Sequence, residues 1–375
     1  MEYDVLVAGA GLAGSTAARL LAEDDKKVLI VERLKHIAGH CYDFKNEHGI
    51  TIHKYGPHIF HTDMAHVWGF MKRFSAFRPY VHRVLSSVDG MLLPFPINLD
   101  TIARLFKHDI NEDQVKEFLK SEVEKARFSF PPQNFRDQVV SQVGERLYET
   151  FYRNYTIKQW QREPEDLAAE IAARIPVRSN TDDRYFSDTY QGIPLPGYSA
   201  LVENMLSHPN ISLQLDTDFF KVERGIRRKV TIFTGELDQY FNCKYGNLEY
   251  RSLDLKLKTL DREFLQPVAV VNYPNDHPWT RITEFKHFSG ETSPQTTVCY
   301  EYPKAEGDPY YVVVNSENNA KRAKYTAEAD MLEKRGTCFF IGRLAEYKYY
   351  NMDQVIAEAF RKTASILKTR LVAQR

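Results

Sequence analysis

Apolar residues open the chain in an unbroken run, Val5-Leu6-Val7-Ala8, which predicts a strand buried on both faces. The period then changes. Across Ser15-Thr16-Ala17-Ala18-Arg19-Leu20-Leu21-Ala22, the residues Ala17, Leu20 and Leu21 share one face of a helix. A second short run, Val28-Leu29-Ile30-Val31, predicts another buried strand, and Glu32 follows it. Residues 45–95 read as strands and turns with one helix over 63–74, and residues 80–93 alternate like a hairpin about Asp89-Gly90. From 99 to 160 the pattern is helical, with apolar stripes at Ile102, Leu105 and Phe106, then Val115, Phe118, Leu119 and Val123, then Val139, Val140, Val143, Leu147 and Tyr148. Strand and loop return over 172–195, and a helix is expected over 198–206. Val230-Thr231-Ile232-Phe233 reads as a strand, and residues from 256 to 311 and beyond alternate as in antiparallel sheet. Cys338-Phe339-Phe340-Ile341 predicts a buried strand ending at Gly342, and residues 352–368 a closing helix.

Between the first strand and helix stands Gly9-Ala10-Gly11-Leu12-Ala13-Gly14. Gly9 permits a tight turn, Gly11 lets backbone approach a pyrophosphate, and Gly14 lets the helix pack close to the sheet. The helix N-terminus offers free N–H groups and a positive dipole end to phosphates. Glu32, at the end of the second strand, is placed to accept from ribose hydroxyls. The motif therefore predicts dinucleotide binding. Arg33 does not separate FAD from NAD. The unit's place at the N-terminus, followed by the glycine-containing loop His36-Ile37-Ala38-Gly39-His40, favours FAD.

Charge narrows the partners. Fifty basic residues balance fifty acidic ones, so no global field points to nucleic acid or to an anionic membrane, and any anion site must be local. The chain of 375 residues, 43% hydrophobic, is long enough for two or three compact units. Its 22 tyrosines and 23 phenylalanines serve core packing or stacking of planar groups, which composition does not separate. Cys41, Cys243, Cys299 and Cys338 are scattered, as expected of reduced cytoplasmic thiols rather than a disulfide framework or a zinc site. The chain start has no basic segment before its apolar run, so no targeting segment is expected. His58 and His61 form an H-x-x-H with no third ligand nearby in sequence, so no metal is expected.

Four further segments carry a resemblance: 54–62 (KYGPHIFHT), 155–160 (YTIKQW) with 174–178 (RIPVR), 185–194 with its Tyr185-Phe186 and Tyr190-Gln191-Gly192-Ile193-Pro194, and 342–349 (GRLAEYKY). Together with the glycine motif this set resembles the bacterial UDP-galactopyranose mutase family. The resemblance implies an α/β fold: a Rossmann-like FAD-binding domain (1–78, 195–255 and 330–375), an inserted helical domain (97–165) and an antiparallel β-sheet domain (79–96, 166–194 and 256–329). It implies a homodimeric isomerase that interconverts UDP-galactopyranose and UDP-galactofuranose, in which N5 of reduced FAD attacks the anomeric carbon of the sugar.

Site residues follow from the same resemblance. Arg174 and Arg281 match the family's diphosphate-binding arginines, whose guanidinium forks suit pyrophosphate oxygens. Tyr155, Trp160, Tyr185, Phe186, Tyr311 and Tyr349 match residues around uridine and diphosphate, and His61 stands beside flavin and sugar as a catalytic candidate with the two arginines. Cofactor contacts are carried over to Gly9, Gly11, Leu12, Ala13, Gly14, Glu32, Arg33, Gly39, His40, His58, Ile59, His61, Gly342, Arg343, Tyr349 and Met352. The chain departs from the family pattern at His40 and His82 (usually Asn), at Asn154 and Gln161 (usually Gly) and at Asn351 (usually Asp). His82 and Asn351 fall where sugar or phosphate recognition is tuned, which keeps UDP-N-acetylgalactopyranose open as substrate. A flavin oxidoreductase and a colourless binding protein of the same fold are the remaining alternatives. Residues 164–176 are expected to close over UDP as a lid carrying Arg174.

Overall fold

In the computed structural model, which describes residues 2–107, 109–173 and 175–373, the first apolar run is the middle strand of a five-stranded parallel sheet. The order across that sheet is Ile211–Gln214, Val28–Val31, Glu2–Ala8, Arg227–Phe233 and Cys338–Phe340. Its central strands lack polar alternation where both faces are covered, whereas the edge strand Ile211–Gln214 alternates and is largely exposed. All four residues of Val28–Val31 are at most 2% exposed, a burial that stabilises by roughly 1.5–3 kcal/mol per large aliphatic side chain. Helix Leu12–Glu23 packs against both Met352–Ala373 and Tyr198–Leu206. The chain thus leaves this layer after residue 31, re-enters at 211, and ends in it.

The second sheet has seven strands, in the order Tyr311–Val312, Tyr250–Leu260, Thr296–Lys304, Arg281–Glu284, Val270–Asn272, Val84–Val88 and Met91–Phe95. It is antiparallel apart from the parallel pairing of Val270–Asn272 with Val84–Val88. The expected hairpin is there, turning at Asp89 (φ 49°) and Gly90 (φ 75°), the left-handed pair that a two-residue hairpin requires. A small third sheet joins Phe60–Thr62, Tyr190–Leu195 and Ala76–Pro79.

The helical stretch resolves into Leu99–Phe106, Glu112–Lys125 and Phe135–Tyr148. Asn98, Asn111 and Asn134 cap them by accepting from the third backbone N–H of each helix. A π-helical turn, Glu149–Arg153, then feeds Asn154–Trp160. The wider turn shifts the helical register, which the even stripe pattern of the sequence did not foretell. Phe151 and Tyr152 are buried, and Tyr155 and Trp160 reach the cavity described below.

Two elements run through the domain boundaries drawn from sequence. Strand Tyr250–Leu260 continues unbroken through residue 255, because its ladder with Thr296–Lys304 already begins at Ser252. Helix Ser316–Lys334 runs through residue 330, in a region that sequence assigned to sheet. Only Asn318, Tyr325 and Ala329 of it are buried, so it leaves almost no apolar stripe to read. No helix among the described residues is long and apolar enough to cross a membrane.

Candidate active site

The glycine motif forms one wall of a cavity of about 520 Å³. Gly9 (φ 108°) turns the chain out of the central strand, held by its N–H to the Val31 carbonyl at 2.8 Å. A Cβ at Gly14 would lie 2.0 Å from the Gly9 carbonyl oxygen, so the helix rests directly on the turn. Leu12 and Ala13 line the cavity, and their N–H groups, in the first helical turn, have no intrahelical acceptor. Gly11, Glu32, Arg33, Gly39, His40, His58, Gly342, Arg343 and Met352 line it too, whereas Gly14 acts from behind through its packing. Glu32 is 5% exposed, and its carboxylate accepts from Ala10 N at 2.7 Å and Leu34 N at 2.8 Å. It therefore holds the glycine loop itself, a role the sequence pattern did not suggest, and each oxygen keeps a lone pair for a ribose. Phe219 and Phe220, unremarked in sequence, line the cavity together with Glu32. A groove this long, with a cradle that side chains would fill and a helix N-terminus facing it, fits a dinucleotide.

A second cavity, of about 450 Å³, draws its walls from all the remaining layers. Arg281, the first residue of strand Arg281–Glu284, donates from Nη2 to the Tyr155 hydroxyl at 2.8 Å. Its Nε lies 3.4 Å from Glu301 Oε2 but makes no hydrogen bond, so a guanidinium donor is buried without an acceptor. The Glu301 carboxylate and the neighbouring tyrosines hold the Arg281 pKa well above its ordinary value against the opposing effect of burial. Burial raises that of Glu301, with Arg281 opposing. A half-buried, permanent cation whose Nε is buried without an acceptor is what an anionic ligand would complete.

Around it, the Tyr155 hydroxyl is pushed up to about 12, first by burial. Trp160 is 6% exposed and meets the Tyr311 ring edge-on at 6.3 Å. Tyr311 stacks on Tyr349 at 5.9 Å, and the Arg343 guanidinium lies 5.1 Å from the Tyr349 ring centre. Tyr185, Phe186, Ile59, His61, His82 and Asn351 also line this cavity. Ile59, His61 and Tyr349, expected at the cofactor, line this second cavity, which joins the first. His82 is 4% exposed, its Nδ1 3.3 Å from the Tyr80 hydroxyl, and burial with Arg281 nearby lowers its pKa to about 3. Arg174 lies outside the described residues.

His58 and His61 have separate partners: His58 Nδ1 pairs with the Gly56 carbonyl at 2.9 Å, and His61 Nδ1 with Asp188 at 3.0 Å. His40 stacks on Tyr310 at 5.0 Å, and burial takes its pKa to about 3. Of the departures from the family pattern, Gln161 has φ 49°, a left-handed helix end where glycine is the unstrained residue. Asn154 bonds Asn275 at 3.1 Å, and Asn351 precedes the last helix, its N–H donating to Gln354.

Several site residues escaped sequence reading. Asp188, Glu301 and Asn272 are single polar residues with no local signature, yet Asp188 and Asn272 line the second cavity; Gln159, inside a quoted segment but given no role, lines it too, and its Oε1 is buried without a partner. Lys158 stood inside a quoted segment, but its role is new. Its ammonium donates to the carbonyls of Tyr273, His277 (2.9 Å) and Trp279 (3.1 Å), tying helix Asn154–Trp160 to the loop before Arg281.

The two cavities share His40, His58, Arg343 and Met352, so a dinucleotide groove opens directly onto a chamber lined by the half-buried Arg281. Such an arrangement on this fold belongs to the Rossmann-like dinucleotide-binding enzymes, and residues 7–74 match the model of the NAD(P)-binding Rossmann-like domain. Residues 150–349 match the model of the UDP-galactopyranose mutase family. A probable UDP-galactopyranose mutase of Klebsiella pneumoniae is 39% identical, across 98% of this chain and 95% of that one. A dTDP-fucopyranose mutase of Escherichia coli is 38% identical, across 95% of this chain and 96% of the other. The fold is shared with a crystal structure of reduced UDP-galactopyranose mutase at a TM-score of 0.79 and 15% identity, covering 98% of this chain and 94% of that one. The chain belongs to the UDP-galactopyranose mutase family.

Proposed function

We propose that the protein is a flavin-dependent isomerase that interconverts UDP-galactopyranose and UDP-galactofuranose, with FAD in its reduced form. The observation that carries this reading is the junction of the two cavities at His40, His58, Arg343 and Met352, the second of them lined by the half-buried Arg281. Reduced FAD supplies the nucleophile for the anomeric carbon. The chain supplies the rest. Arg281, oriented by Tyr155, would bind the diphosphate and stabilise the charge that builds on it as its bond to the anomeric carbon breaks. Arg174 is assigned the same task on the strength of its sequence match. Trp160 and Tyr155 take the nucleobase end, and the stacked Tyr311 and Tyr349 rings exclude water beside the diphosphate. Glu32, the glycine loop and the N-terminus of Met352–Ala373 hold the cofactor, which is supported by the cradle geometry. The four cysteines are free thiols, consistent with a reducing cytoplasm, and a homodimer is assigned from the family resemblance.

One observation favours a second substrate. The dTDP-fucopyranose mutase is as similar to this chain as the UDP-galactopyranose mutase, and His82 stands where the family usually carries Asn. The test is chromatography of the furanose nucleotide incubated with purified protein, with and without dithionite. UDP-galactofuranose, UDP-N-acetylgalactofuranose and dTDP-fucofuranose are run in parallel. Conversion of the first to its pyranose, only after reduction, is the expected result. Faster conversion of either other nucleotide moves the substrate and keeps the chemistry, and no conversion of any of them refutes the reading.

A further inference from the structure

His61 sits on the short strand Phe60–Thr62, paired in register with Gln191 of Tyr190–Leu195. The loop just before Gln191 is held at three points. Gln191 Nε2 donates to the carbonyls of Phe186 (3.2 Å) and Asp188 (2.9 Å). Asp63, two residues past His61, accepts from the Thr189 N–H at 2.7 Å and its hydroxyl at 2.8 Å. The Phe186 ring is stacked on the His61 imidazole with centroids 3.6 Å apart and planes 12° from parallel. That construction brings one carboxylate oxygen of Asp188 to 3.0 Å from His61 Nδ1. His61 is 9% exposed and lines the substrate cavity with Asp188.

We infer that Asp188 is a positioning residue that fixes which nitrogen of His61 faces the chemistry. A carboxylate accepts only, so Nδ1 must carry a hydrogen and donate to it. A neutral ring that donates from Nδ1 has a lone pair at Nε2. The stacked Phe186 holds the plane of the ring, and the Nδ1 bond to Asp188 selects one of the two orientations that a flip within that plane would interchange, so His61 meets the cavity as a hydrogen-bond acceptor at Nε2. Its partner is an N–H or O–H donor of the bound reactants. Sequence reading assigned His61 a role and passed over Asp188, because 127 residues separate the two and only the strand pairing joins them.

This inference rests on the isomerase reading, and its test has one arm that does not. Nitrogen-15 NMR of histidine-labelled protein, with the His61 resonances identified by their loss in His61→Asn, reads the tautomer directly. The wild type is expected to show hydrogen at Nδ1, and Asp188→Ala a mixture of both tautomers. Turnover with reduced flavin should fall about 10- to 100-fold in Asp188→Ala, the scale on which removal of a histidine's orienting partner acts. Asp188→Glu should recover part of it. UDP affinity and flavin content should remain within a few-fold of wild type in both Asp188 variants, which a role confined to holding the loop would not leave intact. Asp188→Asn keeps an acceptor without the charge and guards against a variant that fails to fold. A single Nδ1–H tautomer persisting in Asp188→Ala, or its turnover within two-fold of wild type, would overturn the inference. If the wild type itself turns over none of the sugars, the NMR arm still decides what Asp188 does to His61.

Discussion

Replacing Gly14 by alanine tests the cofactor cradle at its tightest contact. The added methyl would lie 2.0 Å from the Gly9 carbonyl oxygen and 3.1 Å from both the Gly9 carbonyl carbon and Val7 Cγ1. The two Gly9 atoms are backbone and the third is a methyl of the stiff, buried Val7, so the closest contact has no flexible side chain that can yield. To reach an ordinary carbon–oxygen contact the helix or the turn must move by about 1 Å or more. Overpacking of this kind costs about 1–3 kcal/mol. If the turn moves, the Gly9 N–H to Val31 bond of 2.8 Å is also lost. A lost buried hydrogen bond adds about 1 kcal/mol. The expected loss of about 2–4 kcal/mol corresponds to roughly 30- to 1,000-fold in the folded-to-unfolded ratio. The same displacement moves the N–H groups of Leu12 and Ala13 away from the phosphates. Urea unfolding of the cofactor-free proteins measures the first effect and flavin absorbance per chain after purification the second. The comparison must be made without cofactor, because bound FAD stabilises by mass action. Stability within about 0.5 kcal/mol of wild type together with full flavin content would refute the steric argument.

Two other outcomes follow from the structure. Lys158→Met removes an ammonium held by three carbonyls, at a cost of about 1.5–3 kcal/mol. UDP affinity should fall because Tyr155 and Arg281 lose their shared anchor, while flavin content stays unchanged; titration with UDP measures this, and unchanged affinity would rule the anchor out. Burial lowers His40, His58 and His82 to about 3 and His53 to about 4, from an unperturbed 6.5. Folded pKa values below the unfolded one mean that the unfolded chain binds these protons first. Their stabilisation is therefore complete above about pH 6.5 and is lost as pH falls towards 4, by up to roughly 5 kcal/mol per pH unit. A urea midpoint that stays flat between about pH 7 and 5 would contradict this.

How much of this was legible in the chain differs between the two cavities. The dinucleotide groove is nearly local: one turn, one helix start and an acid at the end of the next strand, all within residues 9–32. Apolar runs and glycine spacing therefore announced it, and the hairpin at Asp89-Gly90 and the capped helices from residue 99 were announced in the same way. Even there, the grip of Glu32 on the glycine loop was hidden, because a hydrogen bond to backbone leaves no mark on sequence pattern. Helix Ser316–Lys334 was missed because its mostly exposed surface needs no apolar stripe.

The second cavity was recognisable only by resemblance. Arg281, Tyr349, His82 and the pair Tyr155 and Trp160 lie far apart in the chain, and each residue alone is an ordinary aromatic or charge. By itself the sequence determined the parallel sheet, the glycine cradle and the helical insertion, since these depend on periods and turns among near neighbours. Only the tertiary structure decided that Glu301 lies beneath Arg281, that Lys158 ties a helix to a loop, and that Asp188 meets His61. The physical reason is that such pairs are set by strand register and packing between layers, which bring polar groups within about 3 Å whatever their separation along the chain.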